Sequence, residues 1–277
     1  SAIRCFRSFV KQEFISPTVR SIRRCGRAGV NFARAMSSSP KAGFFELRQY
    51  ELHPQHMKTY LDETSKAAPF RSAIFDTAGS RWLAFFGPEI GGHLNKVHHL
   101  YWYQDHDVRD VARTKAATTK EWGDYLKLAR PCMVKQENMA FIEATAVLQA
   151  AGLGGARDFA VAPDTSGKVA YELRTHQLPP GYDAVPRFLD LYAAGLPDKL
   201  RAAPPGASAL VTLLHSDIGG LNVVVELWRH ESMQRSQETR EASRASPGWR
   251  TTAAGLAKAA TSSHTQFLRP TAFSPWK

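Results

Sequence analysis

The sequence predicts an α+β protein: two tandem ferredoxin-like units, their antiparallel sheets packed face to face, carried behind a basic N-terminal arm. Three observations predict this. Residues 44–54 read FFELRQYELHP and residues 170–180 read AYELRTHQLPP, so Glu46, Leu47, Arg48, Leu52 and Pro54 recur as Glu172, Leu173, Arg174, Leu178 and Pro180. The middle of each half matches as well: Ile90-Gly91-Gly92 with Ile218-Gly219-Gly220, and Val97, Leu100, Arg113 and Trp122 with Val224, Leu227, Arg240 and Trp249. Four anchors in one order, drifting by one or two residues, are the mark of an internal duplication. The third observation is that residues 1–40 hold seven Arg and Lys11 against one acid, Glu13.

Each half reads as strand, helix, hairpin, helix, strand. Residues 44–52 alternate as a strand, and Pro54 ends it. Met57, Tyr60, Leu61 and Thr64 fall at helical spacing within a helix over 56–74. Two aromatic-rich strands, 81–86 and 94–103, flank Gly91-Gly92 as a hairpin. A charged, periodic stretch at 107–128 predicts a helix with a break near Thr118, and a last strand is expected near 139–147. The second half repeats this, with a strand at 169–178, helix 183–200, hairpin 208–230, helix 232–260 and a final strand near 264–269. That order is the ferredoxin-like split βαβ arrangement, which covers one sheet face with helices and leaves the other bare. Two such sheets stacked face to face would bury the bare surface as an α/β barrel or sandwich. The expected boundaries are an arm at 1–42, units at 43–148 and 168–277, and a Gly/Ala-rich linker at 149–167.

Composition removes several classes of function. Hydrophobic residues make up 43% and charged residues 22%, ordinary for a chain that buries a core. No run approaches the roughly 18 apolar residues of a membrane span. The net charge is +11, but the arm supplies +7 of it, leaving +4 for the rest. Nucleic-acid binding by the folded part is therefore not expected, since no basic stripe with interleaved aromatics appears there. Cys5, Cys25 and Cys132 form no paired motif, so neither a disulfide framework nor a zinc site is encoded, and Cys132 reads as a small buried hydrophobe.

In the arm, Ile3, Phe6, Val10 and Phe14 recur at three- and four-residue spacing with Arg4, Arg7 and Lys11 between them. This is an amphipathic, Arg-rich segment of the mitochondrial transit type, and Ser37-Ser38-Ser39-Pro40 makes a break after it. Arg4, Arg7, Lys11, Arg20, Arg23, Arg24 and Arg27 are the expected docking residues for a partner or an anionic membrane surface. An RNA-bound subunit using the same arm is a further reading.

These landmarks resemble the NIPSNAP family. The resemblance rests on the ELR strand (46–54, 172–181), the I-G hairpin (90–103, 218–230) and the Arg-bearing helix with its Trp. In that helix the first unit has Arg109, Arg113 and Trp122, the second Arg235, Arg240 and Trp249, and the final Ser274-Pro275 fits as well. The resemblance covers about residues 43–277 and implies a dimeric α/β-barrel arrangement. It also implies a mitochondrial protein, in the matrix or at the inner membrane, acting mainly through protein partners. No settled enzymatic reaction comes with the family, and its fold relatives include haem-degrading and small-molecule monooxygenases, which transfers no chemistry. The second unit departs from the pattern: Glu226 replaces His99, His176 replaces Tyr50, His230 replaces Tyr103, and its second helix is unusually rich in Ser, Thr and Ala.

Glu46 and Arg48 share a strand face, as do Glu172 and Arg174. With Tyr50, His99, Tyr101, Tyr103 and Glu226 they form a candidate pocket or an internal polar network, and the sequence does not choose between them. His98 and His99, as strand neighbours, point to opposite faces and cannot chelate one ion. The glycine pairs lie between strands, which suits turns and not a phosphate loop. No catalytic residue, metal or cofactor is expected. The leading expectation is a non-catalytic accessory or scaffolding subunit of a larger mitochondrial assembly, a respiratory-chain complex being one candidate. The alternative is a small-molecule-binding or monooxygenase-like barrel using His99, Tyr101 and Arg48.

Overall fold

The computed structural model describes residues 43–164 and 166–277. The expected docking arm, residues 1–42, lies outside the described residues.

The chain runs β1 (Phe44–Leu52), α1 (Met57–Phe75), β2 (Ser80–Ile90), β3 (Lys96–Tyr103), α2 (His106–Thr118), α3 (Lys120–Ala129) and β4 (Met133–Glu143). A short α4 (Thr145–Ala150) follows. The same order then recurs as β5 (Ala170–Gln177), α5 (Ala184–Ala202), β6 (Ser208–Ile218), β7 (Val223–His230), α6 (Met233–Ala245), α7 (Pro247–Ala259) and β8 (Ser262–Pro270). Local chemistry sets the repeated boundaries. The Asp105 side chain caps α2 by accepting from Val108 N–H at 2.9 Å, and Ser232 caps α6 by accepting from Arg235 N–H at 3.1 Å. The second helical segment breaks at Thr119 (ψ 123°) and at Ser246 (ψ 118°), where the following Pro247 disfavours helical backbone. Bulges fall between Trp82 and Ala84 and between Leu210 and Thr212, corresponding places in the two halves.

Of the two expected arrangements, barrel and sandwich, the structure has the barrel. All eight strands form one closed barrel in the order β1-β3-β2-β8-β5-β7-β6-β4. Each half contributes four antiparallel strands, and the halves are hydrogen-bonded edge to edge through β2–β8 and β4–β6. Closure satisfies backbone N–H and C=O groups that stacked open sheets would leave at their edges. The expected last strand of the first half also shifts, from 139–147 to Met133–Glu143. Its start, Met133–Asn138, is mostly polar and exposed, so hydrophobic alternation misses it although it pairs with β1 along its length.

One face of every strand points into the barrel, where Phe45, Leu47, Phe86, Trp102, Phe141, Tyr171, Leu214, Val225 and Leu268 make one apolar cluster. The expected linker is not a plain spacer: Ala156, Phe159 and Val161 pack on this cluster, and Phe159 meets Trp276, which stacks on Tyr171. The other strand faces lie under the helices as two separate clusters, one beneath α1–α3 and one beneath α5–α7.

Helix α5 crosses α7 at Gly195, where an added Cβ would sit 2.1 Å from Thr252 Oγ1 and 2.5 Å from its Cβ. Alanine gains about 1 kcal/mol over glycine in a helix, but overpacking a buried β-branched neighbour costs about 1–3 kcal/mol. Gly195→Ala is therefore expected to lower the urea midpoint; an unchanged or higher midpoint would show that the two helices can slide apart freely.

Candidate functional site: two charge networks under the helices

In the first half, β1 presents Glu46, Arg48 and Tyr50 to the helices, and β3 presents His99, Tyr101 and Tyr103 to the same side. Register makes them neighbours: Arg48 lies opposite His99 and Glu46 opposite Tyr101. Glu46 is 2% exposed and accepts from Arg48 (2.9 Å), from Arg109 of α2 (2.9 and 3.3 Å) and from Asn138 of β4 (2.7 Å). Burial works to raise the carboxyl, but Arg48 and the three donors outweigh it and hold it at about 2. Arg48 also donates to Tyr50 at 3.1 Å.

Beside this network sits Arg71 of α1, 3% exposed. Its guanidinium reaches Tyr101 Oη (2.6 Å), Tyr125 Oη (3.3 Å) and His99 Nδ1 (3.3 Å), over the rings of Trp122 and Trp82 at 4.9 and 5.3 Å. No carboxylate pairs with it among the described residues. Burial, then the charges of Arg71 and Arg48, depress His99 well below the usual imidazole value and keep it neutral. His98 points the other way, into the barrel, with Nε2 3.2 Å from Gln266 Nε2.

The second half carries the same plan with different charges. Glu172, fully buried, accepts from Arg174 Nε (2.7 Å), His230 Nε2 (3.0 Å) and Arg240. Glu226 is 2% exposed and stands directly across from Arg174. It accepts from Tyr192 Oη (2.7 Å), Trp228 Nε1 (2.7 Å), His176 Nε2 (2.9 Å) and Lys199 Nζ (3.2 Å). Burial pushes the Lys199 ammonium down to about 8, with Glu226 holding it from falling further. Burial likewise lowers His230 despite the pull of Glu172.

All nine expected pocket or network residues thus lie on the helix-covered strand faces. They form two groups, one per half, with Glu172, Arg174 and Glu226 apart from the other six. Two central members were missed: Arg71 and Lys199 occupy corresponding positions, each two residues after a proline inside the first helix, Pro69 and Pro197. That proline-to-cation spacing was the available signal.

The halves differ in how far such a space reaches toward the strands. Between the β5/β7 face and α6–α7 lies a cavity of about 350 Å³, reached by Arg174, Lys199, His230, Ser236, Arg240 and Trp249. In the first half the corresponding Arg113, Ala116, Trp122 and Leu126 line a space of about 580 Å³ that stays among the helices, and Arg109, standing where the second half has Ser236, lies on Glu46. The Ser/Thr-rich helix noted in the sequence lines the second-half space, so the cavity that reaches a strand arginine lies in the half that departs from the family pattern.

Comparison with known proteins is consistent with this plan. The NIPSNAP family model matches twice, over residues 45–147 and 171–275. The chain is similar to Protein NipSnap homolog 3A of Homo sapiens, 28% identical over 235 residues that cover 84% of this chain and 86% of that protein. Protein NipSnap homolog 3B of Mus musculus is 27% identical over the same extent. Among solved structures, a provisionally assigned monooxygenase from Lactobacillus acidophilus superposes with a TM-score of 0.54 at 9% identity, covering 83% of this chain and 94% of that one. An anthrone oxidase-like protein gives 0.52 at 9% identity, with 83% and 92% covered. These two likenesses concern the fold alone. With its family model matched on both halves, the chain belongs to the NIPSNAP family.

Proposed function

We propose that this protein is a fused pair of NIPSNAP units serving as a non-catalytic accessory or scaffolding subunit of a larger mitochondrial assembly. The observation that carries the reading is how the candidate pocket or network residues and their neighbours are used. Glu46, Arg48, Arg109 and Asn138 bond to one another, and Arg71 is enclosed by Tyr101, Tyr125 and His99. The barrel interior is an apolar core fed by all eight strands. Each β-hairpin also ends in apolar side chains open to contact: Ile90 and Leu94 are 56% and 69% exposed, Ile218 and Leu221 53% and 63%. Exposed apolar residues of this kind suit burial against a partner. The basic arm, which has the composition of a targeting or docking segment, supports the mitochondrial placement.

Native-gel fractionation of mildly solubilised mitochondria, with mass spectrometry following this chain, tests the reading. Co-migration with a large complex is the expected result. Migration as a free monomer near 30 kDa, consistent with its mass of 30.7 kDa, would reject it. The small-molecule reading has one observation in its favour, the cavity of the second half. Monooxygenase-like chemistry has only the fold likeness behind it.

A further inference from the structure

We propose that the cavity under α6 and α7 binds a small organic oxyanion, a carboxylate or a phosphate monoester, through Arg174, Arg240 and Lys199. The inference gives chemistry to the small-molecule reading and rests on its cavity, independently of the accessory role.

Four cations reach the space, Arg174, Lys199, Arg240 and Arg244, whereas the buried carboxylates that face them are Glu172 and Glu226. Of the two positive charges left over, Arg244 stands at the exposed rim, so the partly desolvated part of the site holds one unbalanced positive charge, which an anion would balance. His230 does not add to them, being held neutral by burial.

The donors are also incompletely used. Arg174 donates only through Nε, to Glu172, so both its terminal nitrogens are without a partner among the described residues. Arg240 donates only through one terminal nitrogen, and its buried Nε has no partner. Arg244, at the exposed rim, makes no hydrogen bond among the described residues. Paired guanidinium forks with free N–H groups match the two or three oxygens of a carboxylate or phosphate. Glu172 leaves these N–H groups open, because it accepts from Arg174 only through Nε and from Arg240 only through one terminal nitrogen.

Comparison of the halves shows why this space reaches the strand residues. Arg109, Ala112 and Ala116 on α2 correspond to Ser236, Thr239 and Ser243 on α6. In the first half the long Arg109 side chain spans to the strand carboxylate; in the second, Ser236 cannot, and a hydroxyl-lined opening remains. At about 350 Å³ the cavity is at the small end of ligand sites, fitting a compact polar metabolite better than a lipid or a large cofactor.

The test uses the full chain, with glycerol 3-phosphate and succinate as probes, read by titration calorimetry and tryptophan fluorescence, since Trp228 and Trp249 line the cavity. One probe is expected to bind with one-to-one stoichiometry, and which one binds identifies the head group. Arg240→Gln should weaken binding about tenfold or more, as loss of a charge-assisted donor does. Ser236→Arg, which copies the first half, should abolish it. Arg113→Gln, at the position corresponding to Arg240 in the first half, should leave it unchanged. If Ser236→Arg fails to fold, Arg244→Gln removes a rim charge that makes no hydrogen bond, and it should still weaken binding several-fold. Binding of neither probe at millimolar concentration, or binding indifferent to all of the second-half changes, overturns the proposal. The native-gel result would stand in either case.

Discussion

Glu226→Ala is expected to cost about 3–5 kcal/mol, the scale for removing one partner of a buried ion pair. The loss would consume much of the roughly 5–15 kcal/mol that holds a domain of this kind together. Four donors converge on that carboxylate: Lys199, His176, Tyr192 and Trp228. Alanine leaves Lys199, 4% exposed and facing Trp228 and Trp249, without the carboxylate that holds its proton, so the folded chain must either bury an unpaired ammonium or give up the proton. It also orphans a tyrosine hydroxyl and an indole N–H. Lys199→Met should cost clearly less, because Glu226 keeps three donors and the methionine fills the aromatic slot without a charge. Urea denaturation of both variants decides the matter: equal losses would mean that the carboxylate matters only as the partner of Lys199.

The same pair gives the stability a pH dependence whose sign is fixed. Lys199 releases its proton at about 8 in the folded chain and near 10.5 when unfolded. Below pH 8 both states hold the proton, so this group contributes no slope. Between about 8 and 10 the unfolded chain binds more protons than the folded one, and stability rises with pH. The rise from this group is on the order of 2 kcal/mol, at 1.36 kcal/mol per unit over that window. It is opposed from about pH 9 by Cys132 and above pH 10 by Tyr60, Tyr101 and Tyr192, whose protons burial holds above their ordinary values. Lys199→Met should abolish the rise between 8 and 10. A wild-type midpoint that stays flat over that range would contradict the buried ammonium.

What could be read in advance follows from where the information lies. The Glu46–Arg48 and Glu172–Arg174 pairs were legible because a strand places alternate residues on one face, and duplication marked them twice. A barrel was among the expected arrangements, but the pairings that close it were not legible: β2–β8 and β4–β6 join residues far apart in the chain, and nothing in Phe86 or Ile218 names its partner. Arg71 and Lys199 escaped because a lone cation on a helix is ordinarily a solvent-facing residue. Only the aromatic residues that converge on each from distant elements make burial tolerable. The Ser/Thr-rich α6 was visible as a departure, but its consequence required knowing that Arg109 reaches Glu46 in the other half.

Arg71 is the second position where a large effect is expected, and its comparison with Lys199 states the rule behind both. In the second half a lysine under the helices is matched by Glu226; in the first, the same place on β3 holds His99 and the cation is an arginine. Guanidinium can be held without a carboxylate here because it donates to three acceptors at once while lying over Trp122 and Trp82. Arg71→Ala should cost about 3–5 kcal/mol, as removal of a large buried side chain does, and it strips donors from Tyr101 and Tyr125. Arg71→Lys is the sharper test. A lysine cannot span the three acceptors and meets no negative charge, so a loss of about 2 kcal/mol or more is expected. Adding His99→Glu recreates the pairing of the other half and should recover a substantial part of that loss. A double-mutant cycle measured by urea denaturation gives the coupling directly. Full stability in Arg71→Lys, or no coupling to His99→Glu, would show that the two halves do not balance their buried cations by the same rule.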